Sequence, residues 1–233
     1  MRQLLFCFFT LAIFSSCEHR RGSGNIVTEK RQTGDFTGIS VGGAFTVEVT
    51  TGPVTEVKVE ADDNVINSIE TKVSGDVLKI RTKDGASFND AHFKVYITAP
   101  EINSIKSSGA ATVKVMDQLK NKGKISLDVS GAAHISASVD APEISADISG
   151  AGNIDLSGRT RDYTAEVSGS GDLKSGELKT ENTDVRVSGA GNARVYASVR
   201  LKAEASGAGN IYYKGGATVD PKTSGAGNVK NDN

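Results

Sequence analysis

Seven times in its second half this 233-residue chain opens a glycine-rich pentad with a serine, at Ser108, Ser130, Ser149, Ser168, Ser188, Ser206 and Ser224, as in Ser149-Gly150-Ala151-Gly152-Asn153. The intervals run from 18 to 22 residues. That is the length of one coil in a stacked array and too short for a domain. A unit of this size cannot bury an apolar face alone, so each copy must pack against the copies one repeat away.

Setting the serines in register gives each column one character. Before the serine stand Ser107, Val129, Ile148, Val167, Val187, Ala205 and Thr223, and two residues earlier Ile105, Leu127, Ala146, Ala165, Val185, Ala203 and Pro221. These face inward. The column between them, Lys106, Asp128, Asp147, Glu166, Arg186, Glu204 and Lys222, faces water. After the pentad an apolar column resumes with Val113, Ile135, Ile154, Leu173, Ala193, Ile211 and Val229. Alternation on both sides of a glycine-rich bend reads as strand, corner, strand.

Glycine supplies the backbone conformations a sharp corner needs, where a residue with a Cβ loses about 1–2 kcal/mol. The next column holds Thr112, His134, Asn153, Asp172, Asn192, Asn210 and Asn228. Stacked amides at Asn153, Asn192, Asn210 and Asn228 can pass hydrogen bonds from coil to coil, so this column reads as a structural ladder. The expected fold is all-β: a parallel β-solenoid of about seven coils over residues 101–233, one coil per repeat. Variable coil length favours a right-handed course over the left-handed one of strict hexapeptide repeats. Pro221 and the polar end of the chain read as a blocked edge.

Residues 35–100 alternate with period two, as in Phe45-Thr46-Val47-Glu48-Val49 and Phe93-Lys94-Val95-Tyr96-Ile97, with turn signals at Gly52-Pro53, Ser74-Gly75-Asp76 and Asp84-Gly85. They predict an antiparallel β region ahead of the solenoid. One exception, Val65, Ile66 and Ile69 behind Asp and Asn residues, predicts a short helical turn with an Asp or Asn cap.

The amino terminus predicts an address. Arg2 and the apolar run over residues 4–14 read as a signal sequence over 1–16, and the small residues Ser15 and Ser16 before Cys17 resemble a bacterial lipobox with lipidation at Cys17. Phe14 departs from that pattern, where leucine is commoner. On this reading Cys7 leaves with the signal, no free thiol remains, and disulfides and cysteine metal sites are excluded. Residues 17–34 are expected as a flexible tether and the lipid as the membrane contact, in the bacterial envelope, at the outer membrane. A formal charge of −1 lacks the basic footprint of a nucleic-acid binder.

The corners Gly152-Asn153-Ile154 and Gly209-Asn210-Ile211, with Ala44-Phe45-Thr46-Val47-Glu48-Val49 upstream, resemble the bacterial envelope proteins of the putative auto-transporter adhesin, head GIN domain family. The resemblance covers the chain from about Ile39 to Val229. It implies an all-β repeat fold and an adhesive role, and brings no catalytic residues with it. An autotransporter barrel does not fit in this length.

Reaction chemistry is not legible, and no enzyme activity and no cofactor are expected. Gly150-Ala151-Gly152 lacks the further glycine or lysine and the helix of a phosphate loop. Nine-residue calcium repeats would be half as long as these. Asp128, Asp147 and Glu166, one coil apart, form a candidate weak cation stripe, because carboxylates about 4.8 Å apart repel by about 1 kcal/mol in water. His92 and His134 have no matched acid at a persuasive spacing. Tyr163 and Tyr213 fall in inward columns and Tyr212 in an outward one. The expected function is therefore a non-enzymatic, adhesin-like or structural binding role toward an envelope, glycan or host-surface partner, with self-association through the solenoid edges as a further option. The alternative is a carbohydrate-active β-helix protein that binds or cleaves polysaccharide.

Overall fold

In a computed structural model, which describes residues 19–84 and 87–232, the chain is built almost wholly of strands. The first are β1 (His19–Arg21), β2 (Ile26–Arg31), β3 (Gly38–Gly43), β4 (Thr46–Thr51) and β5 (Glu56–Asp62). A 3-10 turn at Ile66–Ser68 follows, then β6 (Ile69–Ser74), β7 (Val77–Thr82), β8 (Ser87–Asn89) and β9 (Phe93–Ala99). The repeats supply β10 (Ser104–Gly109), β11 (Thr112–Lys120), β12 (Lys124–Gly131), β13 (His134–Gly150), β14 (Asn153–Gly169) and β15 (Asp172–Gly189). The stack ends with β16 (Asn192–Tyr196), β17 (Arg200–Gly207), β18 (Asn210–Lys214), β19 (Thr218–Gly225) and β20 (Asn228–Asn231).

The repeats form a parallel β-solenoid. Ser108 pairs with Ser130, Ser149 with Ser168 and Ser206 with Ser224, so the corners stand in file. The long strands wrap from one corner to the next: the first part of β13 pairs with β11 and its second part with β12. Up to the Ala203–Ala205 coil the inward columns are dry, with Val129, Ile148, Val167 and Val187 each at most 2% exposed, but in the last coil Pro221 and Thr223, expected inward, are exposed because no further coil covers them. Unequal repeat lengths are absorbed as register shifts, between Lys114 and Gln118 in the 22-residue interval and between Asp155 and Ser157 beside the 20-residue one.

Corner sterics explain the glycines. Gly169 has φ +115, and a Cβ there would lie 2.4 Å from the carbonyl oxygen of Gly150 in the coil below. Two residues on, a Cβ on Gly171 would meet the Gly152 oxygen at 2.2 Å. That second column tapers along the stack: Phe45, Ala111 and Ala133 fill it with buried side chains, and from Gly152 onward it is glycine.

Stack order and chain order part company in the first half. The corner at Gly42-Gly43-Ala44 belongs to the same file, because β3 pairs in register with β10 and β4 with β11, both parallel. On its other side β3 pairs parallel with β7, and β4 with β9. The chain thus lays down one coil, detours through residues 52–100, places β7 and β9 over that coil's outer face, and returns to β10 on its inner face. Antiparallel pairings close the detour, β5 with β9 and β2, and β6 with β7. Phe45, Phe93 and Phe88 seal the end of the core, with ring centroids 5.3 and 5.5 Å apart.

Two other local expectations fail. The tether expected over 17–34 is overturned from His19 onward: β1 pairs with β8, and β2 lies along β5. Asp62, Asp63 and Asn64 do not cap the helical turn, whose N-cap position is Val65 with no side-chain bond. Their side chains hold residues 21–25 instead. The signal segment 1–16 and Cys17 lie outside the described residues.

Candidate functional site

A repeat array displays its outward columns as flat faces, and the face beside the corner serines is the most regular. Its charged column runs Lys79, Ser40, Lys106, Asp128, Asp147, Glu166, Arg186, Glu204, Lys222 in unbroken register. Asp128, Asp147, Glu166 and the adjoining Ser130, Ser149 and Ser168 line a shallow concavity of about 270 Å³ with Lys106 at its rim. Half-buried Asp147 sits in the middle. Its carboxyl is raised above the ordinary range, first by burial and then by the charges of Asp128 and Glu166, with Lys124 opposing. The three acids stand in file rather than converging. Among the described residues no group of three or more His, Cys, Asp or Glu side chains is placed to hold a metal ion.

The adjoining corner column carries a hydrogen-bond chain. Asn228 Nδ2 donates to Asn210 Oδ1 at 3.4 Å, Asn210 Nδ2 to Asn192 Oδ1 at 3.2 Å, and Asn192 Nδ2 to Asp172 Oδ1 at 3.0 Å. The Asp172 backbone N–H donates to Asn153 Oδ1 at 3.2 Å. Asn192 and Asn210 each spend a donor and the acceptor on their neighbours, so the ladder ties these coils together.

On the far bends a longer groove of about 500 Å³ is lined by Asn121, Asp140, Arg159, Arg161, Lys179 and Tyr196, among others. Both of its arginines are paired: Arg159 grips Asp140 of the groove through Nε at 3.0 Å and Nη2 at 2.8 Å, and Arg161 Nε lies 2.7 Å from Asp162 outside it. Lys179 covers the Tyr196 ring at 4.2 Å. Tyr212 is likewise covered, by Arg194 at 5.0 Å, whereas Tyr163 is buried in the core and Tyr213 packs against it. Tyr96 too carries a cation on one face, Lys94 at 4.7 Å.

One acid–histidine pair escapes linear reading. His92 Nε2 lies 2.8 Å from Glu60 Oε1, and Tyr96 donates to Glu60 Oε2 at 3.3 Å. His92 and Glu60 are 32 residues apart, and only the antiparallel register of β5 and β9 brings them together. His134 stands 3.8 Å from Asp155 at the edge of the amide ladder. Among the described residues no helix is long and apolar enough to cross a membrane.

A family model described as putative auto-transporter adhesin, head GIN domain, matches residues 35–217. Solved crystal structures share the fold, three of them as follows. A putative adhesin from Bacteroides fragilis is 22% identical with a TM-score of 0.85, over 91% of this chain and 99% of that one. A putative adhesin from Parabacteroides distasonis is 27% identical with a TM-score of 0.75, over 92% and 100%. A putative lipid binding protein from the same species is 19% identical with a TM-score of 0.77, over 93% and 100%. No curated protein matches the chain.

Proposed function

The chain belongs to the putative auto-transporter adhesin, head GIN domain family, and on that premise we propose that it is a lipid-anchored, non-enzymatic protein of the bacterial envelope that holds a surface partner on the serine-and-charge face of its solenoid. One observation carries the reading: Ser130, Ser149 and Ser168 run beside Asp128, Asp147 and Glu166 in strict coil register. Groups repeated about every 4.8 Å along a rigid ladder favour an extended partner that touches several coils at once. Shallow relief suits adhesion, since an enzyme needs an enclosed site that excludes water from its reacting groups.

The test is binding of the purified protein to envelope fractions and surface glycans, with the triple variant Asp128→Lys, Asp147→Lys, Glu166→Lys beside a control bearing Lys114→Glu and Lys174→Glu on another face. Loss of binding in the first alone supports the reading. Equal binding by both removes it. Intact mass of the membrane-extracted protein checks the anchor, which requires diacyl or triacyl mass on Cys17.

A second reading, a carbohydrate-active protein, draws on the polar groove around Arg159, Lys179 and Tyr196. New reducing ends or unsaturated products from a polysaccharide panel would establish it.

A further inference from the structure

In the envelope reading the lipid sits on Cys17, and the chain just beyond that residue is held in place. β1 begins at His19 and pairs with β8. After β1 the chain is stapled by three consecutive side chains. Asn64 Nδ2 donates to the Arg21 carbonyl at 2.8 Å and Asn64 Oδ1 accepts the Ser23 N–H at 3.0 Å. Asp63 accepts from Ser23 Oγ at 2.6 Å and from Asn25 Nδ2 at 2.8 Å. Asp62, only 2% exposed, takes the Gly24 N–H at 2.6 Å on one oxygen and the His92 N–H at 2.7 Å on the other. The fit leaves no room for a side chain at Gly22, where a Cβ would lie 2.5 Å from Asp62 Oδ2. Strand β2 then continues the attachment along β5.

We propose that this staple removes the tether and seats the capping end of the solenoid, around β1 and β8, directly against the phospholipid headgroups of the membrane that holds the anchor. The inference rests on the anchor proposed above. Between Cys17 and the first paired residue stands Glu18 alone, so the two positions are at most about 7 Å apart. A lipid-bearing residue lies at the headgroup level, and β1 cannot move away from it without breaking its own pairing and the Asp62–Asn64 contacts. Strand β8 lies between β7 and β9 in the coil laid on the outer face of the first corner coil, and β5, β2 and β6 close that same end beyond it. From β9 the ladder climbs eight steps, through β4, β11, β13, β14, β15, β16 and β18 to β20. At sheet spacing this is about 38 Å. The Asn210–Asn228 end is therefore the one free to leave the bilayer.

The experiment uses the full-length, lipidated protein in phosphatidylethanolamine–phosphatidylglycerol vesicles carrying a headgroup nitroxide quencher. Cys7 departs with the signal and the acylated Cys17 thiol is blocked, so a single introduced cysteine takes a fluorophore. Asn89→Cys reports β8 and Lys230→Cys the far end; both side chains are exposed. Quenching several-fold stronger at Asn89→Cys is expected. Inserting twelve Gly/Ser residues between Glu18 and His19, which spans about 20 Å, leaves the staple intact and should bring the Asn89→Cys signal down toward that of Lys230→Cys. Equal quenching at the two positions, or an insertion without effect, overturns the proposal. Intact mass separates the two ideas: acyl mass with equal quenching overturns the seating alone, and no acyl mass overturns the anchor and the seating together.

Discussion

The repeat stack and the capping region it grows from are both sheets over one core, yet different chemistry holds them. In the stack, identical neighbours solve every problem once: a glycine corner, an amide ladder and two dry columns recur about every 4.8 Å. The capping region has no copy to lean on. It uses antiparallel pairings, three phenylalanines and a carboxylate staple, each made once. The two ends of the ladder differ likewise. The outer face of the first coil is covered by β7 and β9. The last coil leaves Pro221 and Thr223 exposed, and there the edge is guarded by chemistry instead. Thr218 N–H points inward to the Val199 oxygen, so strand alternation puts Pro221, which has no N–H, on the open side. Repetition makes a structure tolerant of sequence in its faces and intolerant at its corners; the cap is the reverse.

That contrast can be broken most sharply with glycines. Gly169→Ala, in a mid-stack corner, combines a positive φ with a backbone clash, and should cost about 3 kcal/mol or more. Gly24→Ala has φ +80 but nothing within 4 Å of the new Cβ, and should cost about 1 kcal/mol. Urea unfolding of the two variants checks the ordering, and equal losses would mean that corner packing is not what restricts the stack.

A smaller effect is expected from the amide ladder. Asn210→Ala removes one donor and one acceptor contact and should cost about 1–2 kcal/mol. Hydrogen exchange should show faster opening of β18 and β20 with no change at β5 or β9. Opening that spreads to the cap would argue that the regions unfold as one.

The smallest effects are electrostatic, and they have opposite signs in the two regions. The His92 N–H, then the Gly24 N–H, hold the Asp62 carboxyl below its usual range. Its contribution is complete at neutral pH and is lost as pH falls through the lowered folded value, below the ordinary carboxylate range. Asp147 is raised, so its contribution favours the fold at low pH and is lost as pH rises through the folded value. Amide exchange should therefore loosen at residues 21–25 in acid while β13 and β14 hold. At neutral pH Asp147→Asn should raise stability by less than about 1 kcal/mol, after allowing for solvent screening. A destabilised Asp147→Asn variant would contradict the charge-file account.

The stack was readable because its serine corners recur, and the columns around Val129, Ile148 and Val167 come directly from them. Its first coil was not, because Gly42 replaces the serine and more than sixty residues separate Gly42-Gly43 from Ser108-Gly109. Neighbourhood in the sequence suggested local hairpins; the actual partner of β3 lies past an entire detour. Asp62, Asp63 and Asn64 look like a helix cap in sequence because the same side-chain oxygens that cap helices also accept from any extended backbone laid against them. The His92–Glu60 pair depends on strand register, which no single segment encodes. Of the serine-and-charge face, the sequence supplied the columns, and the fold added that they run unbroken into Ser40 and Lys79.

The interleaving of β3 between β7 and β10 is the claim on which the two-region account turns, and paired cysteines test it directly. In a background with Cys7 and Cys17 replaced by serine, Ser40→Cys should form a disulfide with Lys106→Cys, and separately with Lys79→Cys, since each pair sits in register on adjacent parallel strands within the 4.4–6.8 Å range of about one strand spacing. Lys79→Cys with Lys106→Cys, two strands apart at about 9.6 Å, should stay reduced. An efficient disulfide between positions 79 and 106, with none to position 40, would place the coils in simple chain order and contradict the account.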